Sequence, residues 1–224
     1  MSYTMNRVKW VDVKRKNHLC PRKEKEIMEE NLRSFIAVDL ETHVLQVITS
    51  YSKRLQTRFP SGFRWVKPDL MHLTLKFLGD VPPGKIDQIS QKLDQLCANF
   101  QPFQLQINGT GAFPSWRKPR TIWMGLKHSQ ELLDLHKQLE SALAETGIPT
   151  EGRPFSAHLT LCRVSDYADP AAVRQLENLL VSTPLASDLV WDVNDIVLYK
   201  SKLQPGGPVY SILSKHQFRP IVKV

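Results

Sequence analysis

Apolar positions follow two periods from Arg33 onward. Phe35–Leu40 (FIAVDL) is an apolar run of strand length. Thr42 then opens a helix whose apolar face is Val44, Ile48, Tyr51 and Leu55. Arg64–Val66 reads as a short strand before Pro68. Leu70–Leu78 is a longer strand, closed by Gly79-Asp80 and Pro82-Pro83-Gly84. A second helix carries Ile86, Ile89, Leu93 and Leu96, and a strand then alternates through Phe103, Leu105 and Ile107.

A shift of 86 residues lays this order over the second half. Phe35 falls on Thr121 (TIWMGL), and the helix near Thr42 falls on one near Ser129 with Leu132, Leu135, Leu139 and Leu143. The helix at Lys85 falls on Ala171–Leu180, and the strand at Phe103 on Leu189–Val193. A last strand, Val209–Phe218, follows the turn Pro205-Gly206-Gly207-Pro208. The reading gives every element of one half a counterpart at a single offset, which is the pattern of duplication. Two copies are too few for a solenoid, so a pseudo-two-fold pair of lobes is expected. Strands alternate with helices, yet some neighbouring strands join through turns. That favours an α+β fold with mostly antiparallel sheets, helices on their outer faces and a central cleft. Residues 28–224 are taken as one bilobal domain.

The repeat brings chemistry with it. His-Leu-Thr-Leu occurs at His72–Leu75 and again at His158–Leu161. In a strand, His72 and Thr74 share one face while Leu73 and Leu75 fill the other, and the second copy repeats this with His158 and Thr160. One copy alone reads equally well as a buried strand with a satisfied histidine. Two copies agreeing at both leucines point instead to a shared site at the cleft. Near neutral pH one imidazole of such a pair accepts a proton while the other donates one. The threonine hydroxyls are placed to donate to phosphate oxygens as charge builds there. Two histidines without a third ligand make a poor zinc site, so neither metal nor cofactor is expected. Lys76 shares the parity of His72 and is a candidate phosphate ligand. His18, His43, His128, His136 and His216 lack the motif and are read as surface or capping residues.

Charge narrows the picture only slightly. The net charge is +8, but residues 1–27 hold eight Lys and Arg against three Asp and Glu. That stretch shows little periodicity and reads as a basic extension, with a solvated tail favoured over a nucleic-acid arm. Met28, just before the first strand, is a candidate natural start. The remainder is mildly basic, enough for a local cationic cleft. Cys20, Cys97 and Cys162 are too scattered for a disulfide framework and are expected as free thiols. No stretch has the roughly 20 apolar residues of a membrane span, and the N-terminus has no apolar signal core. A cytosolic monomer is the expectation.

The segments RSFIAVDL, HLTLKFLG at His72–Gly79, KPRTIWMGL and HLTLCR at His158–Arg163 together resemble the bacterial RNA 2′,3′-cyclic phosphodiesterases. These belong to the two-histidine phosphoesterase superfamily and were formerly called 2′-5′ RNA ligases. The resemblance runs from about Met28 to the C-terminus. It implies a bilobal fold and metal-independent opening of 2′,3′-cyclic phosphates at RNA 3′ ends to 2′-phosphates. It also implies His72 as donor to the leaving 3′ oxygen, His158 as the base for water, and Thr74 and Thr160 as phosphate ligands. Arg163 fits the family's arginine beyond the second motif, but its odd offset from His158 turns it away unless a bulge intervenes. Arg120 and Trp123 also match, the latter as strand packing. Phe35 and Trp116 are candidates to stack a terminal base, with core or loop packing as the alternative. Reversed, the reaction makes a 2′-5′ linkage. Other readings are a diesterase for a small cyclic nucleotide or ADP-ribose cyclic phosphate, and an RNA-binding module without turnover.

Overall fold

The computed structural model describes residues 30–185 and 188–219. The basic extension, His18, Cys20 and Met28 lie outside them. The chain order is β1 (Leu32–Asp39), α1 (Thr42–Arg58), β2 (Phe63–Trp65), a 3-10 turn (Pro68–Leu70), β3 (His72–Val81), α2 (Pro83–Cys97) and β4 (Phe103–Phe113). It continues with β5 (Thr121–Leu126), α3 (Gln130–Ala144), β6 (His158–Val164), α4 (Pro170–Ser182), β7 (Val190–Val193), β8 (Asp195–Gln204) and β9 (Gly207–Gln217).

The helices form where the apolar stripes placed them. Val44, Ile48, Tyr51 and Leu55 are buried on α1, and Leu132, Leu135, Leu139 and Leu143 on α3. Ser129 caps α3 by accepting from Leu132 N at 3.1 Å, and Asp169 caps α4 by accepting from Ala171 N at 2.9 Å. Pro170 follows as the first residue of α4, where its missing N–H is no loss.

The strands form two sheets, in the orders β3-β1-β8-β9 and β2-β6-β5-β4-β7, with every described pairing antiparallel. The α+β, two-lobed expectation therefore holds. The lobes are not the two halves of the chain. After α2, β4 crosses to pair with β5, and β8 crosses back to pair with β1. The helices α2 and α3 pack together on the four-stranded sheet. On the other sheet α1 and α4 are joined by the Tyr51 hydroxyl, which donates to Thr183 O at 3.1 Å. One continuous apolar cluster includes Ile36 and Leu73 of the first sheet and Ile122 and Leu159 of the second.

Three details depart from the pattern reading. The stretch Pro68–Leu70 is a 3-10 turn, so β3 begins at His72, and it runs on through Gly79-Asp80 to Val81. Gly79, at φ +72°, is absorbed where the register with β1 shifts beside Ser34. The strand β8 was not expected. Its Ile196, Val197 and Leu198 are all buried, so it lacks the alternation of a one-sided strand. The single-offset rule fails at β2, since the counterpart residues 149–151 form a loop.

Candidate active site

Both motifs start a strand, and both strands carry the same irregularity two residues later. Ile36 pairs with Lys76 and Ala37 with Thr74, passing over Leu75. Ile122 pairs with Cys162 and Trp123 with Thr160, passing over Leu161. A bulge sets two residues against one and reverses the facing of everything beyond it. Before the bulge, His72 and Thr74 lie opposite Asp39 and Ala37, while His158 and Thr160 lie opposite Gly125 and Trp123. Beyond it, Phe77 and Arg163 turn onto that same open face.

The bulge corrects the expectation for Lys76. Its side chain is 2% exposed and donates to Glu140 Oε1 at 2.6 Å and to Pro149 O at 3.0 Å. It is a core cation tying β3 to α3 and to the loop before β6, far from the histidine face. Arg163 shows the opposite outcome, because the bulge supplies the turn that its parity required. It lies on the face of His158 and Thr160, exposed, with Thr121 on one side and Arg64 of β2 on the other.

Each imidazole is oriented by its own chain. His72 Nδ1 lies 2.9 Å from Leu70 O, and His158 Nδ1 lies 2.8 Å from Ser156 O. A carbonyl only accepts, so Nδ1 carries the hydrogen in both rings and Nε2 is left to exchange protons. Phe35 stacks on His72 with centroids 4.8 Å apart, and Tyr210 meets it edge-on at 5.4 Å. Phe113 meets His158 edge-on at 4.9 Å, with Trp123 at 6.1 Å. Phe35 is only 3% exposed, so it packs the histidine instead of offering a face to a base. Trp123 packs against Phe113 as strand packing required. Trp116 is half-buried in the loop before β5.

The two histidines are close enough for the charge of one to act on the other. β3 and β6 come within 8 Å of each other, Cα to Cα. Burial lowers the pKa of His72 from its ordinary 6.5, and the charge of His158 lowers it further, against the Leu70 carbonyl and Asp39, which raise it. Asp39 also accepts from the Tyr199 hydroxyl through both oxygens, at 2.8 and 2.9 Å. Burial raises the Tyr210 hydroxyl's pKa, while Arg163 and Arg33 pull it down, so both guanidiniums bring charge to the side of the cleft that holds His72. The hydroxyls of Thr74 and Thr160 make no hydrogen bond among the described residues. No group of three or more His, Cys, Asp or Glu gathers at ligand distance among those residues.

Asp39, Tyr199, Tyr210 and Phe113 escaped the pattern reading. Asp39 carried a signal, because it shares the parity of Phe35 and Ala37 and closes an otherwise apolar strand. The tyrosines carried none, since their placement depends on β8 and β9 lying beside β1. The remaining histidines divide. His43 is exposed near the start of α1 and bonds Val190 O at 2.9 Å, and His128 is exposed. His216 is a correction. It is 2% exposed, between Asp94 at 2.6 Å and the Ser214 hydroxyl at 2.8 Å. His136 is stacked on Phe155 at 4.0 Å. Cys97 and Cys162 are buried free thiols.

The family described as LigT like Phosphoesterase matches this chain twice, over residues 38–123 and 126–210. An RNA 2′,3′-cyclic phosphodiesterase of Thermotoga maritima is 32% identical over 84% of this chain and 96% of its own. The crystal structure of TT0787 of Thermus thermophilus superposes with a TM-score of 0.71 at 29% identity, covering 85% of this chain and all of that one. E. coli LigT complexed with 3′-AMP superposes with a TM-score of 0.67 at 26% identity, over 84% of this chain and 99% of that one. With both matched segments spanning most of the chain and each containing one His-Leu-Thr-Leu strand, this chain belongs to the LigT-like phosphoesterase family.

Proposed function

We propose that the chain hydrolyses 2′,3′-cyclic phosphates at RNA 3′ ends to 2′-phosphates, with His72 and His158 as the acid and base and no metal in the reaction. The observation that carries this reading is the pair of imidazoles, each pinned at Nδ1 by a backbone carbonyl and each beside an unengaged threonine hydroxyl on one open face. Relatives named for this activity support it.

The phosphate lies between the two Nε2 atoms. Water attacks phosphorus and gives its proton to His158 Nε2. The bond from phosphorus to the 3′ oxygen breaks, and His72 Nε2 delivers a proton to that oxygen. A 2′-phosphate and a free 3′-hydroxyl remain. Thr74 and Thr160 donate to the non-bridging oxygens, and Arg163 adds positive charge from the second lobe. In its burial His72 is a strong acid once protonated, and the anionic substrate supplies the counter-charge that loads the proton. With a 5′-hydroxyl in place of water, the same steps leave a 2′-5′ linkage.

Incubation with EDTA and an oligonucleotide ending in 2′,3′-cyclic phosphate tests this. The expected product is a 2′-phosphate end. Each of His72→Ala and His158→Ala is expected to lower kcat/KM by about 10²–10⁴-fold. Full activity in both variants, or a strict need for added metal, defeats the proposal.

A further inference from the structure

The five-stranded sheet exceeds its partner by one short strand, and that strand puts a single charge beside the motif. Residues Phe63–Trp65 form β2 on the edge of β6, with Phe63 paired to Val164, Arg64 to Arg163 and Trp65 to Cys162. Directly opposed residues project from the same face, so Arg64 and Arg163 stand side by side on the face that carries His158 and Thr160. Like charges in this arrangement repel. Neither guanidinium forms an ion pair or a side-chain hydrogen bond among the described residues. A protein that keeps two unneutralised arginines in one row has room there for an anion, and their planar forks suit a phosphate.

The position fixes which phosphate. Because Leu161 is passed over, Arg163 stands only two β5 positions from Thr160, so its fork reaches toward the motif, while Arg64 stands one strand, ~4.8 Å, further out, beyond a phosphate held by the threonines. Positive charge continues past this point. Where β6 ends, a cavity of about 460 Å³ is walled by Arg117, Lys118, Arg120 and Arg174, against Asp166 and Glu177. Val164 N donates to Arg120 O at 3.0 Å, which joins that loop to the end of β6.

We propose that Arg64, paired with Arg163, forms a second anion site that takes a phosphodiester upstream of the reacting end, so that the substrate is an RNA chain and not a mononucleotide. This rests on the reading of the chain as a cyclic phosphodiesterase, and the site extends that reading along β6 toward the basic loop.

The test compares wild type, Arg64→Ala and Arg64→Lys on a nucleoside 2′,3′-cyclic monophosphate and on a trinucleotide ending in 2′,3′-cyclic phosphate. The wild type is expected to favour the trinucleotide in kcat/KM. Arg64→Ala should cut that preference roughly tenfold, and Arg64→Lys should retain part of it. A trinucleotide with uncharged methylphosphonate linkages should show no difference between wild type and Arg64→Ala. Equal losses on both substrates, or no loss on either, overturn the site. If the wild type turns over neither substrate, it is the proposed activity that fails. Anisotropy with a labelled trinucleotide 3′-phosphate then decides the site alone: binding weakened roughly tenfold by Arg64→Ala, with a shallower salt dependence, supports it, and unchanged binding overturns it.

Discussion

The lowered proton affinity of His72 has two readable consequences at the residue scale. Burial under its aromatic neighbours is the larger cause, and the charge of His158 adds to it, while Asp39 acts the other way. In an NMR titration the His72 midpoint should lie below 6.5. It should rise in His158→Gln, which removes a positive neighbour, and fall in Asp39→Asn, which removes a negative one. A midpoint indifferent to both would mean that the rings do not share a site. The folded state disfavours the charged form of His72, so below pH 6.5 the unfolded chain binds more protons and His72 weakens the fold progressively as acid is added. Above that pH it costs nothing. The kcat/KM profile should be bell-shaped, with both limbs belonging to the coupled pair.

Two side chains were assigned by alternation at the scale of the element, and the bulges reversed both. Alternation put Lys76 on the face of the two histidines and turned Arg163 away. Passing over Leu75 and Leu161 sends Lys76 into the core and brings Arg163 out. No residue type announces those bulges, because leucine is at home in either facing. The burial of Lys76 against Glu140 makes a stability prediction. Lys76→Ala leaves that carboxylate, itself 13% exposed, without its cation, and should cost about 3–5 kcal/mol by urea denaturation. A loss confined to substrate binding would restore Lys76 to the site. The pairing of β4 with β5 makes a second. A Cβ on Gly111 would land within the Trp123 ring, which lies against both Phe113 and His158. Gly111→Ala should therefore cost roughly 1–3 kcal/mol and also slow turnover, since the indole that must shift packs beside the histidine. Unchanged stability and rate would show that the strand has room to yield.

For the whole molecule, the exchanged strands decide how it behaves. β4 completes the sheet of the second half and β8 that of the first. A fragment ending before β5 would leave β4 without its sheet and β1 without β8. We expect residues 28–115 alone to give a poorly dispersed amide spectrum, and the whole chain to unfold in one transition that coincides by fluorescence and circular dichroism. Independent folding of that fragment would contradict the single core. The exchange also means that each sheet is built from strands of both halves.

The residue pattern by itself determined the four helices, the buried stripes of α1 and α3, most of the strands, and the doubled His-Leu-Thr-Leu tetrapeptide. All of these follow from local periodicity and from a tetrapeptide written twice. Tertiary structure alone decided that Lys76 is core, that Arg163 reaches the open face beside Arg64, and that Asp39, Tyr199 and Tyr210 surround His72. Those facts depend on register, on bulges and on which strands become neighbours. Such pairings join residues as far apart as Asp39 and Tyr199, and no local period carries them.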